Sequence, residues 1–194
     1  AALLDRRGGQ LHPLSFARGL AAAAMAAGAA VHGGTRVVGA AREAGGWRLD
    51  TPTGAVRAEK LLLATNGYTD DLWPGLRCSV APVYSAIVAS EPLAPAIAAA
   101  IVPGRSSVYE MGDITVYYRV DARGRLLMGG RGVQRDASGA APLRYLSEYA
   151  ERLWPALRGV RWTHGWNGQL AVTADHYPHI HEPAEGAIAC LGYN

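Results

Sequence analysis

The stretch Lys60-Leu61-Leu62-Leu63-Ala64-Thr65-Asn66-Gly67 decides the fold. A short apolar run without polar alternation is typical of a strand that is buried on both faces, as in a parallel sheet covered by helices. The run breaks directly into small, turn-forming residues, and a parallel strand that ends in this way lets a ligand approach its main chain. An ordinary strand-end turn is the plainer alternative.

Elements on both sides of this strand predict a mixed fold. A helix is expected over residues 15–27, with Pro13 in its first turn, Gly28 as its stop and an alanine-rich face that packs against a sheet. Short strands are predicted at residues 30–32 and 35–38. A hairpin is predicted from strands at residues 47–51 and 55–58.

The second half of the chain reads mainly as antiparallel sheet. A long strand over residues 80–88 contains Pro82, which favours a sheet edge or a bulge. A hairpin joins residues 115–120 to 126–129 through a turn at 122–124. An amphipathic helix covers residues 143–154 and ends at Pro155, and strands at 161–165 and 187–191 follow.

Composition excludes several classes of protein. The chain has 194 residues, of which 49% are hydrophobic and 18% charged, so it can fill one core or two small ones and is not a disordered segment. It contains no apolar run near the ~20 residues that a membrane span needs. Its net charge of +3 comes from scattered arginines with Lys60 as the one lysine, which argues against a nucleic-acid partner.

Cysteine and aromatic usage give two weaker indications. Cys78 and Cys190 are far apart and form no CxxC pair, so the sequence favours a reducing, cytoplasmic location. The chain has nine Tyr and five Trp but one Phe. Aromatic rings with a polar handle suit a pocket, although ordinary core and surface roles are the favoured explanation.

The sequence contains few motifs that indicate a catalytic or metal site. The sequence contains no GxGxxG, Walker, GxSxG or HExxH pattern. His176, His179 and His181 beside Asp175 could bind zinc, but Pro178 and Pro183 kink the segment, so we expect loop histidines and no metal. A second candidate is the strand run of Tyr117, Tyr118 and Arg119, which could line a pocket or face solvent.

The order of these motifs resembles the FAD-dependent D-amino-acid oxidase/glycine oxidase superfamily, and in particular its gamma-glutamylputrescine oxidoreductase-like branch. The resemblance covers essentially the whole chain and rests on ordered segments, each of them weak alone. These are residues 9–13, Gly28, 34–37, 62–67, 126–131, 165–168, 173–179 and 191–194.

The resemblance implies an α/β (α+β) fold, with part of a Rossmann-like FAD-binding domain and an antiparallel-sheet substrate domain. The implied boundaries are 1–78 for the first part of the FAD-binding domain, 79–163 for the substrate domain and 164–194 for the return to the FAD-binding domain. The glycine-rich dinucleotide motif is expected upstream of this segment, and the last flavin turn is expected to continue beyond it. We therefore expect a fragment without activity of its own.

Site residues carried over by position fall into two groups, and the catalytic residues stay unassigned. The substrate-side candidates are Tyr84, Tyr117 and Arg119. The residues expected to contact FAD, where glycines let the main chain come close to the cofactor, are Val37, Ala64, Thr65, Asn66, Gly67, Trp166, Asn167, Gly168, Gly192, Tyr193 and Asn194.

Two departures refine the expected activity. Members that oxidise amino acids often carry an Arg two residues after the equivalent of Gly168, where this chain has Leu170, and no Cys near Gln169 offers a covalent flavin link. The resemblance implies hydride transfer from a small-molecule amine to FAD, giving an imine and then an aldehyde, with a gamma-glutamylputrescine-like amine as substrate. A non-catalytic binding module and a glycine or D-amino-acid oxidase are the alternatives, and oligomeric state carries no sequence signal.

Overall fold

A computed structural model describes residues 3–110 and 115–193 of the chain. The chain divides into two compact units: unit 1 holds Ala1–Gln10 and Pro82–Leu170, and unit 2 holds Leu11–Ala81 and Ala171–Asn194. These divisions lie a few residues from the expected boundaries. They place the first ten residues and residues 164–170 in unit 1, together with most of the expected substrate domain. Which unit performs which function stays a prediction.

The described residues form helices and strands in the following order. The elements are α1 (Pro13–Ala26), β1 (Gly39–Glu43), β2 (Gly46–Thr51), β3 (Gly54–Ala58), β4 (Leu61–Leu63), β5 (Ala81–Pro92), α2 (Pro95–Ile101), β6 (Val108–Glu110), β7 (Val116–Val120), β8 (Arg125–Arg131), α3 (Arg144–Leu153), β9 (Trp162–Val172), β10 (His179–Ala184) and β11 (Ala187–Leu191). No helix in the described ranges is both long enough and apolar enough to cross a lipid bilayer.

Unit 2 contains two three-stranded sheets. The strands of one follow the order β1-β2-β3 and are antiparallel, and those of the other follow the order β10-β11-β4. In the second sheet β11 pairs with β10 antiparallel and with β4 parallel, so that Ala187 lies opposite Leu61 and Ala189 opposite Leu63. The core of unit 2 consists of Trp47, Leu61, Leu63, Leu76, Ala187, Ala189 and Leu191.

Unit 1 is built on a five-stranded sheet in the order β6-β7-β8-β5-β9, in which the pairs β6–β7, β7–β8 and β8–β5 are antiparallel. Asp121 makes the β7–β8 turn, because its Oδ1 accepts the N–H groups of Arg123 and Arg125 while Gly124 takes a left-handed φ of 76°. One face of the sheet packs against α3 and α2. The core is made of Ala86, Val88, Leu93, Ile101, Val102, Val116, Leu126, Met128, Leu143, Leu146, Ala150 and Leu157.

Helix α1 has defined caps and is mostly exposed along its length in the described chain. His12 Nδ1 accepts the N–H of Ser15, Pro13 begins the helix and Gly28 follows it at φ 95°. None of its residues is buried in the described chain, and Phe16 and Leu20 are 59% and 61% exposed. The predicted helix is confirmed, but its expected packing against a sheet is wrong for these residues.

Several strand predictions are confirmed and several are wrong. The 47–51/55–58 and 115–120/126–129 hairpins, the 187–191 strand and the parallel pairing of the 60–64 run are all present. The predicted strands at 30–32 and 35–38 are absent from the described chain. The first strand begins at Gly39, opposite Asp50 of β2, and of the residues before it Val38 donates its N–H to the Asp50 carbonyl oxygen at 2.8 Å.

Two expectations about strand environment also fail. In β4, Leu61 and Leu63 are buried but Leu62 is 60% exposed, so this strand is covered on one face instead of two. The strand that contains Pro82 lies inside its sheet, between β8 and β9, rather than at an edge. On the β8 side, Pro82 precedes Ser85, the first residue of β5 in that pairing, so no hydrogen bond to β8 is lost there.

Leucine truncation along α3 tests the core of unit 1. Leu146 is 2% exposed and Leu153 is 39% exposed on the same helix, so L153A is a matched control with the same change in helix propensity. We expect L146A to lower the free energy of unfolding by about 2–5 kcal/mol, since it leaves a cavity, and L153A to lower it clearly less. Urea denaturation measures both, and equal losses would contradict this packing.

Candidate functional site

The carboxyl ends of β4 and β11 meet at one edge of the mixed sheet, because the two strands run parallel. Each strand leads into a turn. Ala64 and Thr65 precede a single 3-10 turn over Asn66–Tyr68, and Gly192 and Tyr193 follow β11. Six of the residues carried over as FAD contacts therefore lie together, although they are about 125 residues apart in sequence. We call this pair of turns the strand-end edge.

Three hydrogen bonds tie the two turns of the strand-end edge together. Asn66 Oδ1 accepts the main-chain N–H of Gly192 at 3.0 Å, and Asn66 Nδ2 donates to the carbonyl oxygen of Tyr193 at 3.2 Å. The Tyr193 hydroxyl donates to the carbonyl oxygen of Ala64 at 2.8 Å. Asn66 itself has a left-handed φ of 45°, a conformation that Asn tolerates better than most residues. The edge is a built structure, not two independent loops.

Gly192 is required by the protein itself. Its φ is 79°, and a Cβ there would lie 2.6 Å from Cγ2 of Thr173 and 2.9 Å from the carbonyl oxygen of Tyr177. Thr173 is buried, and its hydroxyl donates to that same Tyr177 oxygen at 2.9 Å. Gly192 therefore makes a close approach to the 173–177 turn, and its expected approach to a cofactor stays a prediction.

The strand-end edge fits a ligand that binds against main chain. Ala64 and Thr65 are exposed and small, so their backbone is accessible, whereas Gly67 is buried. The Thr65 hydroxyl is 2.8 Å from the hydroxyl of Thr69, which in turn donates to the carbonyl oxygen of Asn66 and fixes the turn. That these residues contact FAD stays a prediction.

Two further residues of unit 2, Val37 and Asn194, are also expected to contact FAD. Val37 is half-buried and lies two residues before β1, so it does not belong to a strand as its motif implied. Its neighbour Arg36 pairs with Asp70, with 2.8 Å between Nη2 and Oδ2, which ties this segment to the chain after the Asn66 turn. Asn194 lies outside the described residues.

The Trp166-Asn167-Gly168 segment belongs to β9 in unit 1. Asn167 Oδ1 accepts the N–H of Ala137 at 2.9 Å, and its Nδ2 donates to the carbonyl oxygen of Arg135 at 2.7 Å. The side chain of Trp166 is 44% exposed, and its main chain forms an isolated antiparallel β-bridge with Ser138. The side chain of Asn167 therefore supports the 133–137 loop, and Trp166 is the exposed member of this segment.

Tyr117 is the most constrained substrate-side candidate. Its hydroxyl lies 2.5 Å from the Ser85 hydroxyl, its ring stacks on Tyr109 at 6.4 Å between centroids, and it covers the Cα of Gly129, where a Cβ would collide with it. Burial raises the pKa of Tyr117, so its hydroxyl is neutral at physiological pH. The ring is therefore held in one position, and its hydroxyl stays protonated and can donate a hydrogen bond.

The structure separates the remaining substrate-side candidates. Arg119 lies on the same strand face as Tyr117 and donates to Oε1 of Gln10 at 3.1 Å. By strand alternation, Tyr84 lies on the face of Ala86 and Val88 instead. Its hydroxyl donates to Asp136 at 3.1 Å and accepts a hydrogen bond from Gln169 at 2.8 Å. Tyr117 and Arg119 thus form one candidate surface, and Tyr84 belongs to another network.

Sequence reasoning missed Ser85 and Tyr109, the two residues that fix Tyr117. One signal was available, because glycine inside a strand marks a close approach, and Gly129-Gly130 lie inside β8. Which aromatic ring covers Gly129 depends on the β7–β8 register, in which Tyr117 lies opposite it.

The three histidines lie on or just before the strand β10. His179 and His181 lie on the edge strand β10, not in a loop, and Pro183 is accommodated where the β10–β11 register shifts between His181 and Ala184. His179 Nε2 instead pairs with Asp175, 3.0 Å from Oδ1. Within residues 3–110 and 115–193, no group of three or more His, Cys, Asp or Glu side chains is arranged to hold a metal ion.

The Asp175–His179 pair gives the turn beside Gly192 a pH dependence. The hydrogen bond from His179 and a second from the N–H of Tyr177 lower the pKa of Asp175 from 3.8 to about 2. A carboxyl whose pKa is lower in the folded state stabilises the fold above its unfolded pKa, and that contribution is lost as the pH falls through the folded value. The turn is therefore expected to loosen only in strong acid.

Substitution of His179 tests this pair. We expect H179A to raise the pKa of Asp175 part of the way to 3.8, since the largest cause of its depression is removed while the Tyr177 hydrogen bond remains. H181A is the matched control, because His181 shares the strand face but makes no bond to Asp175. Carboxyl carbon NMR titration measures the pKa, and an equal value in both variants would refute the assignment.

Comparison with known proteins adds family information. Residues 1–194 match the family described as FAD dependent oxidoreductase, DAO. A probable oxidoreductase, OrdL, of Rhizobium meliloti (strain 1021) is 32% identical over 194 residues, which cover 98% of this chain and 44% of the relative. Gamma-glutamylputrescine oxidoreductase of Escherichia coli (strain K12) is 29% identical over 178 residues, which cover 91% of this chain and 42% of that protein. The chain spans less than half the length of these curated relatives.

Solved structures agree with the fold. Glycine oxidase from Geobacillus kaustophilus superposes with a TM-score of 0.72 at 25% identity, over 91% of this chain and 47% of that one. L-proline dehydrogenase from P. horikoshii has a TM-score of 0.73 at 20% identity, over 93% of this chain and 50% of that one, which supports the fold alone. The expected mixed α/β class and FAD as the family's cofactor are confirmed. Because the family match extends over all 194 residues and the same fold recurs in glycine oxidase, this chain belongs to the DAO family of FAD dependent oxidoreductases.

Proposed function

We propose that the protein containing this chain oxidises a small-molecule amine with FAD as the hydride acceptor. The observation that carries the proposal is the strand-end edge, where turns from two parallel strands are tied together and leave the main chain of Ala64 and Thr65 exposed. Ligands of open α/β sheets bind at such carboxyl edges. Family membership makes FAD the ligand whose chemistry fits.

Bound FAD would accept a hydride from the carbon next to the amine nitrogen, leaving an imine that hydrolyses to an aldehyde. The chain's own task is to hold the cofactor and to bind and orient the substrate. On the cofactor side, the proposed contacts are the turns at Ala64–Gly67 and Gly192–Tyr193, with Val37 for the adenosine end. Trp166 is proposed as an apolar contact for the flavin ring, since its indole is partly exposed.

On the substrate side, Tyr117 is the proposed anchor. Its ring is fixed by Ser85, Tyr109 and Gly129, so it offers a rigid aromatic wall at low entropic cost. The face of this ring suits contact with the alkyl chain of an amine. Arg119, two residues along the same strand face, offers a cation for a distal acidic group of the substrate.

Leu170 favours an amine over an α-amino acid. It lies on β9 at the position where many amino-acid oxidases of this superfamily carry the arginine that binds the substrate carboxylate. A half-buried leucine there cannot pair with that carboxylate. Sequence similarity to gamma-glutamylputrescine oxidoreductase supports the same choice, and we propose an amine of that kind, with an acyl-polyamine chain, as the substrate class.

Flavin reduction tests the proposed function. We expect the complete gene product to purify with the visible absorbance of bound FAD and to lose that absorbance anaerobically when gamma-glutamylputrescine or another alkyl amine is added. Glycine and D-alanine are expected to reduce it at least about tenfold more slowly, since Leu170 stands where amino-acid oxidases carry the arginine that binds their carboxylate. A complete protein that does not bind FAD would refute the proposal, and faster reduction by amino acids would transfer it to the amino-acid oxidases.

Replacement of Leu170 tests the choice between these substrate classes. We expect L170R to increase the reduction rate with α-amino acids about tenfold or more, because a charged hydrogen-bonded pair contributes about 1.5–3 kcal/mol. L170M, which keeps the volume but adds no charge, is the control and should change neither substrate's rate much. Stopped-flow absorbance at saturating FAD measures both variants. Equal effects of L170R and L170M on amino acids would show that residue 170 does not face the substrate.

A further inference from the structure

The side chain of Asn66 joins two segments that the sequence keeps far apart. Its Oδ1 and Nδ2 each take one main-chain partner on the Gly192–Tyr193 turn, at 3.0 and 3.2 Å. An amide is the side-chain group of this size that can accept and donate at once in this geometry. Aspartate has the same shape, but its ionised form would place a carboxylate oxygen against the Tyr193 carbonyl.

The conformation of Asn66 makes this contact specific. Its φ of 45° lies in the left-handed region, and its carbonyl oxygen accepts from the Thr69 hydroxyl at 2.7 Å and from the Thr69 N–H at 3.1 Å. The turn is therefore fixed by main-chain bonds that do not involve the Asn66 side chain. Since the amide points from a fixed turn, it sets the position of the Gly192 and Tyr193 main chain relative to Ala64 and Thr65.

We propose that Asn66 is a positioning residue that holds the second turn in register with the first, so that both form one surface for the dinucleotide cofactor. This role rests on the proposed function. It differs from the direct FAD contact that the family pattern implies for this residue, because the amide acts through the main chain of residues 192 and 193. Tyr193 assists from the other side, through its bond to the Ala64 carbonyl oxygen.

Three substitutions separate the parts of this contact. N66G keeps the left-handed backbone at no steric cost and removes both amide bonds. N66D keeps the shape and the acceptor but removes the donor to Tyr193, and Y193F removes the hydroxyl bond alone. L76A is the control for stability, because Leu76 is 6% exposed in the core of the same unit and is not part of the strand-end edge.

The test is FAD binding by the complete gene product, prepared without flavin and titrated while flavin fluorescence is followed. We expect N66G to raise the Kd for FAD at least about tenfold, and N66D and Y193F about three- to tenfold, from the number of hydrogen bonds that each removes. L76A should lower the melting temperature of the apoprotein yet change the Kd less than about threefold. Should N66G fail to fold, N66D and Y193F decide the question.

The pH dependence of N66D gives a second readout that a purely structural role would not produce. The carboxyl group that this substitution introduces would regain a donor when it is protonated. The FAD affinity of N66D should therefore recover as the pH falls, whereas that of N66G should not. Wild-type affinity in N66G and N66D, or an equal loss in L76A, would overturn the proposal. Failure of the wild-type protein to bind FAD would instead refute the proposed function, so the two failures are distinguishable.

Discussion

The parallel pairing of β4 with β11 is the constraint on which unit 2 depends. Three residue pairs, from Ala187 opposite Leu61 to Ala189 opposite Leu63, align two strands from distant parts of the chain. This register buries Leu61, Leu63, Ala187 and Ala189 on one face. It also brings both carboxyl ends to the same edge, where the tied turns meet. A shift by one residue would turn the buried side chains outward and separate Asn66 from Gly192.

Local signals in the sequence were sufficient for much of this fold. Pro13 and Gly28 bound a helix that forms with little packing, and Asp121 with Gly124 specifies a hairpin turn by its own hydrogen bonds. The apolar run before Ala64 indicated a parallel strand, and β4 is one. In these cases the residues that determine the structure are neighbours in sequence, so periodicity and turn chemistry can detect them.

Long-range partners explain what the sequence could not reveal. The sequence of residues 35–38 predicts a strand, but the pairing with β2 begins only at Gly39. The apolar run predicts that Leu62 is buried, but its burial depends on whether another element covers the second face of β4. Of the candidate site residues, those of the strand-end edge could be located from motif order. The partners of Asn66 and Tyr117 could not, because Gly192 and Ser85 reach them only through sheet registers.

The sequence separation of the strand-end edge has a consequence for folding. The hairpins β1–β2 and β7–β8 close short loops, whereas β4 and β11 must find each other across more than 120 residues of chain. Loop-closure entropy makes such non-local pairing slow relative to local hairpins. The hairpins can therefore form while β4 and β11 are still unpaired. In the order of assembly, the surface proposed for the cofactor is among the last parts of unit 2 to be completed.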